Sequence, residues 1–228
     1  MVKNYNEILY ENHTMHTQRL ILRRMQPSDA NFLLEFTSNT AALEYLFWEG
    51  TGTIEGTLLD IYNTYMLVPT FWGIEPANAG KLVGYIALRL DADHDKGRVG
   101  YMLSPAIWGK GYATEALAAV LKLGFDELKL NRLEADFFGG NEASRRVLEK
   151  NGMRFESMAR QSRIAKGKYI DMFNYGITSK MYFDFIDTLS MSKEEKNAAN
   201  LTALYCAQST NHSAFFSSRM KWKEYGRK

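Results

Sequence analysis

One cysteine, four prolines and four histidines among 228 residues are few enough to exclude several architectures at once. Cys206 has no second thiol to pair with, so no internal disulfide forms, and four scattered histidines beside one cysteine give no zinc-ligand spacing. No apolar run approaches the roughly 18 residues that a membrane-spanning helix needs, and the opening MVKNYNEILYENH lacks the apolar core of a secretory signal. The expectation is a cytoplasmic protein with no membrane partner and no metal. Neither sign of charge dominates: 28 Lys+Arg against 26 Asp+Glu leave +2, too little to draw the whole molecule to nucleic acid. An anionic ligand therefore needs a local site.

What is present is the composition of a folded chain, 46 % hydrophobic, 24 % charged and rich in aromatics at 13 %. The length predicts one domain with extensions: a polar N-terminal arm over 1–16, a domain over 17–186 and a C-terminal extension over 187–228. QRLILRR (18–24) reads as a strand, and Ser28 is placed to cap a helix carrying Ala30, Leu33, Leu34 and Phe36 on one side. A second helix is expected over about 54–66, then a hairpin of strands 71–75 and 81–90 across a Pro/Asn/Gly loop. After the acidic turn 91–97 comes a strand at 98–103, the strongest helical periodicity of the chain at 112–128, a strand at 132–138 and a short helix at 142–150. A hairpin of 154–164 with 169–178 follows. In the extension, Ser192 and Glu195 form a capping-box signature ahead of Ala198, Leu201, Leu204 and Tyr205, which predicts a tail helix able to cap the domain or mediate a homo-dimer. The closing RMKWKEYGRK reads as a solvated end.

The informative string is VGYMLSPAIWGKGYATEAL, residues 99–117. A strand ends at Pro105, and Gly109-Lys110-Gly111 opens the long helix; glycines let backbone N–H groups converge, and the helix N-terminus adds its positive dipole end, which together suit a phosphate. The spacing is neither the P-loop nor the dinucleotide fingerprint. A glycine turn that serves only packing is the alternative.

Five ordered segments of this chain resemble the GNAT superfamily of acyl-CoA-dependent N-acyltransferases, in its ribosomal-protein N-terminal acetyltransferase branch. They are TQRLILRRMQPSDA (17–30), WGKGYATEAL (108–117), NRLEA (131–135), NEASRRVLEKNGM (141–153) and YIDMFNYGI (169–177). The resemblance implies an α/β fold: a mixed, mostly antiparallel central sheet with helices on both faces, whose fourth and fifth strands splay to admit acetyl-CoA as co-substrate. By this resemblance the backbone of Tyr101, Met102 and Leu103 holds the pantetheine, Trp108, Gly109, Lys110, Gly111, Tyr112 and Ala113 wrap the pyrophosphate, and Asn141 and Ser144 face the thiol end. Ser144 is then the candidate hydrogen-bond donor to the departing thiolate, while Asn141 is equally suited to capping the helix that follows it.

The chain departs from the family pattern at three positions. Ala106 stands where the loop often begins with Gln or Arg, Leu148 where many members carry a tyrosine acid, and Arg98 where related enzymes commonly place a glutamate base. The nearest replacements for the base lie in the turn of Asp91, Asp93, His94 and Asp95, of which His94 has the suitable intrinsic pKa; a solvated polar turn is the competing reading. Glu115, in the first turn of the long helix, reads as structural, and Tyr45, Phe47, Trp48, Tyr65 and Trp72 are candidates for an acceptor cleft or for core. The resulting expectation is acetyl transfer to a primary amine, the α-amine of a protein N-terminus first, with small polyamines or aminoglycosides, or a non-catalytic acyl-CoA sensor, as alternatives.

Overall fold

Leu20 and Leu22, Trp72 and Ile74, and Ile86 and Leu88 recur at strand spacing and are all fully buried, so alternate residues of each strand point into one core. The computed structural model describes residues 4–47, 52–66 and 68–191, and the chain divides into two units, Met1–Tyr182 and Phe183–Lys228. In the first unit the elements run α1 (Tyr5–Glu11), β1 (Thr14–His16), β2 (Leu20–Arg23), α2 (Ala30–Thr37), α3 (Thr40–Leu43), α4 (Ile54–Asp60), β3 (Phe71–Pro76), β4 (Gly84–Asp91), β5 (Lys96–Leu103), α5 (Tyr112–Lys122), β6 (Arg132–Phe138), α6 (Glu142–Lys150), β7 (Arg154–Ala165) and β8 (Lys168–Thr178). α4 and α5 each continue as one π-helical turn, Ile61–Tyr65 and Leu123–Glu127. A last helix, α7, covers Ser179–Ser190, so the described part of the second unit is its C-terminal portion and Met191.

The eight strands form one sheet in the order β1-β2-β3-β4-β5-β6-β8-β7, antiparallel throughout except for the β5–β6 pair. That pair is parallel because α5 carries the chain back across the sheet between them. One face is covered by α5 and α6: Ala116, Leu117, Val120 and Leu121 join Leu22, Ile74, Leu88, Val99 and Leu133 in the main core. Leu133 fills the notch left by two glycines, since a Cβ on Gly97 or on Gly124 would lie 3.0 or 2.7 Å from its methyl groups. The opposite face carries smaller apolar clusters, Ala30, Leu33 and Ile61 with Leu82, and Phe36 and Ala42 with Met102.

The mixed sheet with helices on both faces is the expected α/β fold, and two local readings are corrected. Residues 1–16, read as a polar arm, carry α1 and β1; Leu9 is buried in the main core, and Tyr5 Oη donates to Asp95 at 2.5 Å. With β1 added, the strands expected as fourth and fifth are β5 and β6. Ser28 caps nothing: Pro27–Asp29 form a 3-10 turn in which the buried Asp29 carboxylate accepts from Gln26 N and from both terminal nitrogens of Arg23. The helix of Ser192 through Tyr205 lies outside the described residues, as does Cys206.

Candidate active site

β5 and β6 pair at Lys96–Arg132, Gly97–Leu133 and Arg98–Glu134, and nowhere beyond. Past Arg98, β5 stays bonded to β4 as far as Leu103–Gly84, and β6 stays bonded to β8 as far as Phe138–Met172. Each strand is held on its outer side by an antiparallel ladder and released on its inner side, so the sheet opens into a wedge. A cleft of ≈ 550 Å³ runs through it, lined on the α5–α6 face by Tyr101, Leu103, Tyr112, Asn141 and Ser144 and on the other by Tyr85, Arg89, Gly100, Met102 and Asp136. Tyr101 Oη donates to the Ser144 carbonyl at 3.3 Å, tying β5 to the first turn of α6 at the mouth of the wedge. Burial pushes the Tyr101 hydroxyl well above the ordinary phenol range, so it stays protonated at neutral pH.

The glycine loop closes one end of the cleft. Gly109 and Gly111 sit at φ 78° and 80°, where a side chain is strained, and Gly111 is the N-cap of α5 with no side chain satisfying the first-turn N–H groups. Trp108 folds back, its indole N–H donating to the Leu103 carbonyl at 2.9 Å. The loop is held from below by Arg19, to which no sequence pattern points. Arg19 donates through Nε to Glu115 (2.7 Å) and through Nη1 to the Lys110 carbonyl (3.0 Å), and its guanidinium lies 5.0 Å from the centre of the Tyr112 ring. Glu115 also accepts from the Thr17 hydroxyl at 2.6 Å and from Arg19 N at 2.8 Å. Burial works to raise the Glu115 carboxyl, but these donors outweigh it and hold it below the ordinary range. Glu115 is thus structural, as expected from its place in the helix.

Of the residues singled out in the sequence, Tyr101, Met102, Leu103, Trp108, Gly109, Gly111, Tyr112, Ala113, Asn141 and Ser144 all line this one cleft. Its shape fits an acyl-CoA: uncapped N–H groups and two glycines at one end for the pyrophosphate, and an unpaired strand edge for the pantetheine. Lys110 does not line it; its carbonyl serves Arg19. Asn141 Oδ1 accepts from Ser144 N at 3.0 Å, so the helix-capping role is realised. His94 is not brought to the cleft. It sits in the turn before β5, at the closed end of the wedge, 70 % exposed and 2.8 Å from Asp91. The direction of β5 puts it there: the wedge opens toward Leu103, while His94 precedes Lys96. Of the aromatic candidates, Trp72 takes the core alternative, fully buried on the α5–α6 face with its indole N–H on the Asn12 carbonyl, whereas Tyr45 and Phe47 line the cleft and Trp48 is outside the described residues.

The carboxylate missing from position 98 appears on the neighbouring strand. Arg98 Nη1 reaches Asp136 at 2.8 Å and Nη2 reaches Glu134 at 3.2 Å. Glu134 is also bound by Arg132, which in turn contacts Glu156. Burial works to raise the Glu134 carboxyl, and the two guanidiniums overcome it and hold it low. Asp136 is the one carboxylate that lines the cleft among the described residues, against five cations, Arg89, Arg98, Arg146, Lys150 and Arg163. A period-two strand pattern, Arg132-Glu134-Asp136, was the available signal for this row.

A family model described as an acetyltransferase (GNAT) domain matches residues 19–154. The chain is 33 % identical over 168 residues to the N-acetyltransferase YoaA of Bacillus subtilis strain 168, covering 72 % of this chain and 95 % of that one. It is 34 % identical over 102 residues, 44 % of this chain and 56 % of the other, to YdaF of the same organism, whose name places it provisionally among ribosomal N-acetyltransferases. Among solved structures, a GNAT-family acetyltransferase from Bacillus anthracis superposes with a TM-score of 0.68 at 28 % identity, covering 73 % of this chain and 99 % of that one.

Proposed function

The chain belongs to the acetyltransferase (GNAT) family and is an acetyl-CoA-dependent N-acyltransferase, and on that premise we propose that its acceptor is the α-amine of a protein N-terminus. The observation that carries this reading is the single cleft passing from the glycine loop through the β5–β6 wedge to the opposite face of the sheet, where an amine can meet a thioester. The partial likeness to YdaF supports the ribosomal-type acceptor. An excess of cations along the cleft disfavours polyamines and aminoglycosides, which an acidic cleft would favour.

Acetyl-CoA, when bound, supplies an acetyl thioester. In this reading the pyrophosphate lies on the N–H groups of residues 109–113 and the pantetheine along the free edge of β5 from Val99 to Leu103. Asp136 receives the proton of the incoming amine, directly or through one water, and the freed nitrogen lone pair forms the C–N bond as the C–S bond breaks. The Ser144 hydroxyl is the donor to the leaving sulfur, and Tyr101, whose hydroxyl bonds the Ser144 carbonyl, positions it. Backbone N–H groups of β5 stabilise the charge that gathers on the carbonyl oxygen. Asp136 here replaces the glutamate that Arg98 displaced, one strand away.

Release of free CoA, measured with Ala- and Ser-led peptides beside spermidine and kanamycin, tests the proposal. Peptide-dependent release that falls in Ser144→Ala is expected. Release driven by the small amines alone, or silence on every amine despite acetyl-CoA binding, would overturn it.

A further inference from the structure

Arg89 on β4 and Arg163 on β7 come from either side of the wedge to the same cleft and, unlike Arg98 of β5 and Arg132 of β6, have no carboxylate partner among the described residues. Arg89 faces Arg98 directly across the β4–β5 ladder, a like-charge pairing that is destabilising unless something offsets it. Arg98 is offset twice, by Glu134 and Asp136, and so is not available to a ligand. For Arg89 no hydrogen bond or ion pair to a described residue is found, and the same holds for Arg163 on β7, whose side matches that of Ala165 packed beneath Phe138 and Met172. Both guanidiniums line the half of the cleft that lies on the Met102 and Asp136 face of the sheet. Asp136, one same-face step beyond the last β5–β6 pair, is at the start of the wedge.

The acceptor half thus presents opposite charges at separate places: a carboxylate where the sheet parts, and two unpartnered guanidiniums beside it. An ammonium group seeks the first and a carboxylate the second, since a guanidinium binds a carboxylate through paired charge-assisted hydrogen bonds. We infer that the acceptor amine carries a carboxylate near the reacting nitrogen, as an Asp- or Glu-led peptide or a free acidic amino acid does, with Asp136 on the ammonium end and Arg89 and Arg163 on the carboxylate. This rests on the transferase reading above and narrows its substrate class.

The test compares isosteres, so that only charge differs: acetyl transfer to Glu-led and Gln-led peptides of otherwise identical sequence, with free glutamate and a Ser-led peptide as further arms. The expected preference in kcat/KM for Glu over Gln is about tenfold, the size of one charge-assisted contact. Arg89→Gln together with Arg163→Gln brings that ratio toward one, Arg89→Lys keeps part of it, and Arg89→Glu inverts it toward a peptide with Lys in place of Glu. Free glutamate outpacing the Glu-led peptide would assign the site to a small amino acid, the reverse order to a protein N-terminus, and either supports the carboxylate. Equal rates on Glu- and Gln-led peptides in the parent protein overturn this inference and leave the transferase reading standing. Failure to acetylate any amine overturns both.

Discussion

Single side chains decide how the leaving group and the glycine loop are managed. The Tyr101 hydroxyl donates to the Ser144 main-chain carbonyl at 3.3 Å, so Ser144→Ala, which removes the donor to the sulfur, and Tyr101→Phe, which loosens its placement, are each expected to lower kcat about ten- to a hundredfold with little change in the KM for acetyl-CoA. Steady-state kinetics at saturating acceptor measure the split. Glu115 contributes to stability rather than chemistry. Its folded pKa lies below the ordinary carboxylate value, so its contribution is present at neutral pH and is lost as pH falls through the folded value. Glu115→Gln therefore costs about 1–2 kcal/mol near neutrality and flattens the fall in stability below about pH 4.5, which urea titrations across the acid range would record. Arg19 shares the contact, yet nothing in RLILRR distinguishes it from Arg23 or Arg24, because its partners lie 91 and 96 residues away in the chain.

At the scale of elements, the loop from Ser104 to Gly111 and the π-turn after α5 are the sensitive joints. A side chain on Gly111 meets both a left-handed φ of 80° and the Arg19 guanidinium, 3.3 Å from where its Cβ would stand. Gly111→Glu adds a like charge to that of the phosphates, and acetyl-CoA binding measured by calorimetry is expected to weaken at least about tenfold. Gly124→Val forces atoms into Leu133, whose methyl group is already 2.7 Å from the position of a Cβ, and is expected to destabilise the fold by about 1–3 kcal/mol. A thermal unfolding curve that stays put would show that Leu133 can move aside.

The whole molecule is asymmetric across its sheet. One continuous core joins β2 through β8 to α5, while α2, α3 and α4 rest on separate small clusters over the acceptor half of the cleft. Elements with less shared burial open at lower free energy, so amides of α2–α4 are expected to exchange with solvent faster than those of α5 and β4 in hydrogen-exchange mass spectrometry. Activity should rise with pH as an α-amine with a pKa of about 7.7–8.0 loses its proton. No alkaline decline from Tyr101 is expected before about pH 10, because burial moves its ionisation upward; a falling limb near pH 9 would come from another group.

Local periodicity and turn chemistry by themselves determined the strand and helix order from Gln18 to Thr178, the short α3 apart, and the glycine loop, since period-two and period-3.6 patterns are written within a few adjacent residues. The family resemblance, rather than periodicity, marked Leu148 and Arg98 as departures at the usual acid and base positions. The tertiary structure alone decided which charged groups stand in the cleft. Asp136 becomes a cleft carboxylate because β6 leaves β5 after Glu134, and His94 is removed because it lies at the closed end of the same wedge. Arg89 and Arg163, 74 positions apart in the sequence, line one cleft only once β4 and β7 take their places in the sheet. Charge pairing across strands depends on register, and register is set by ladders that join residues far apart in the chain.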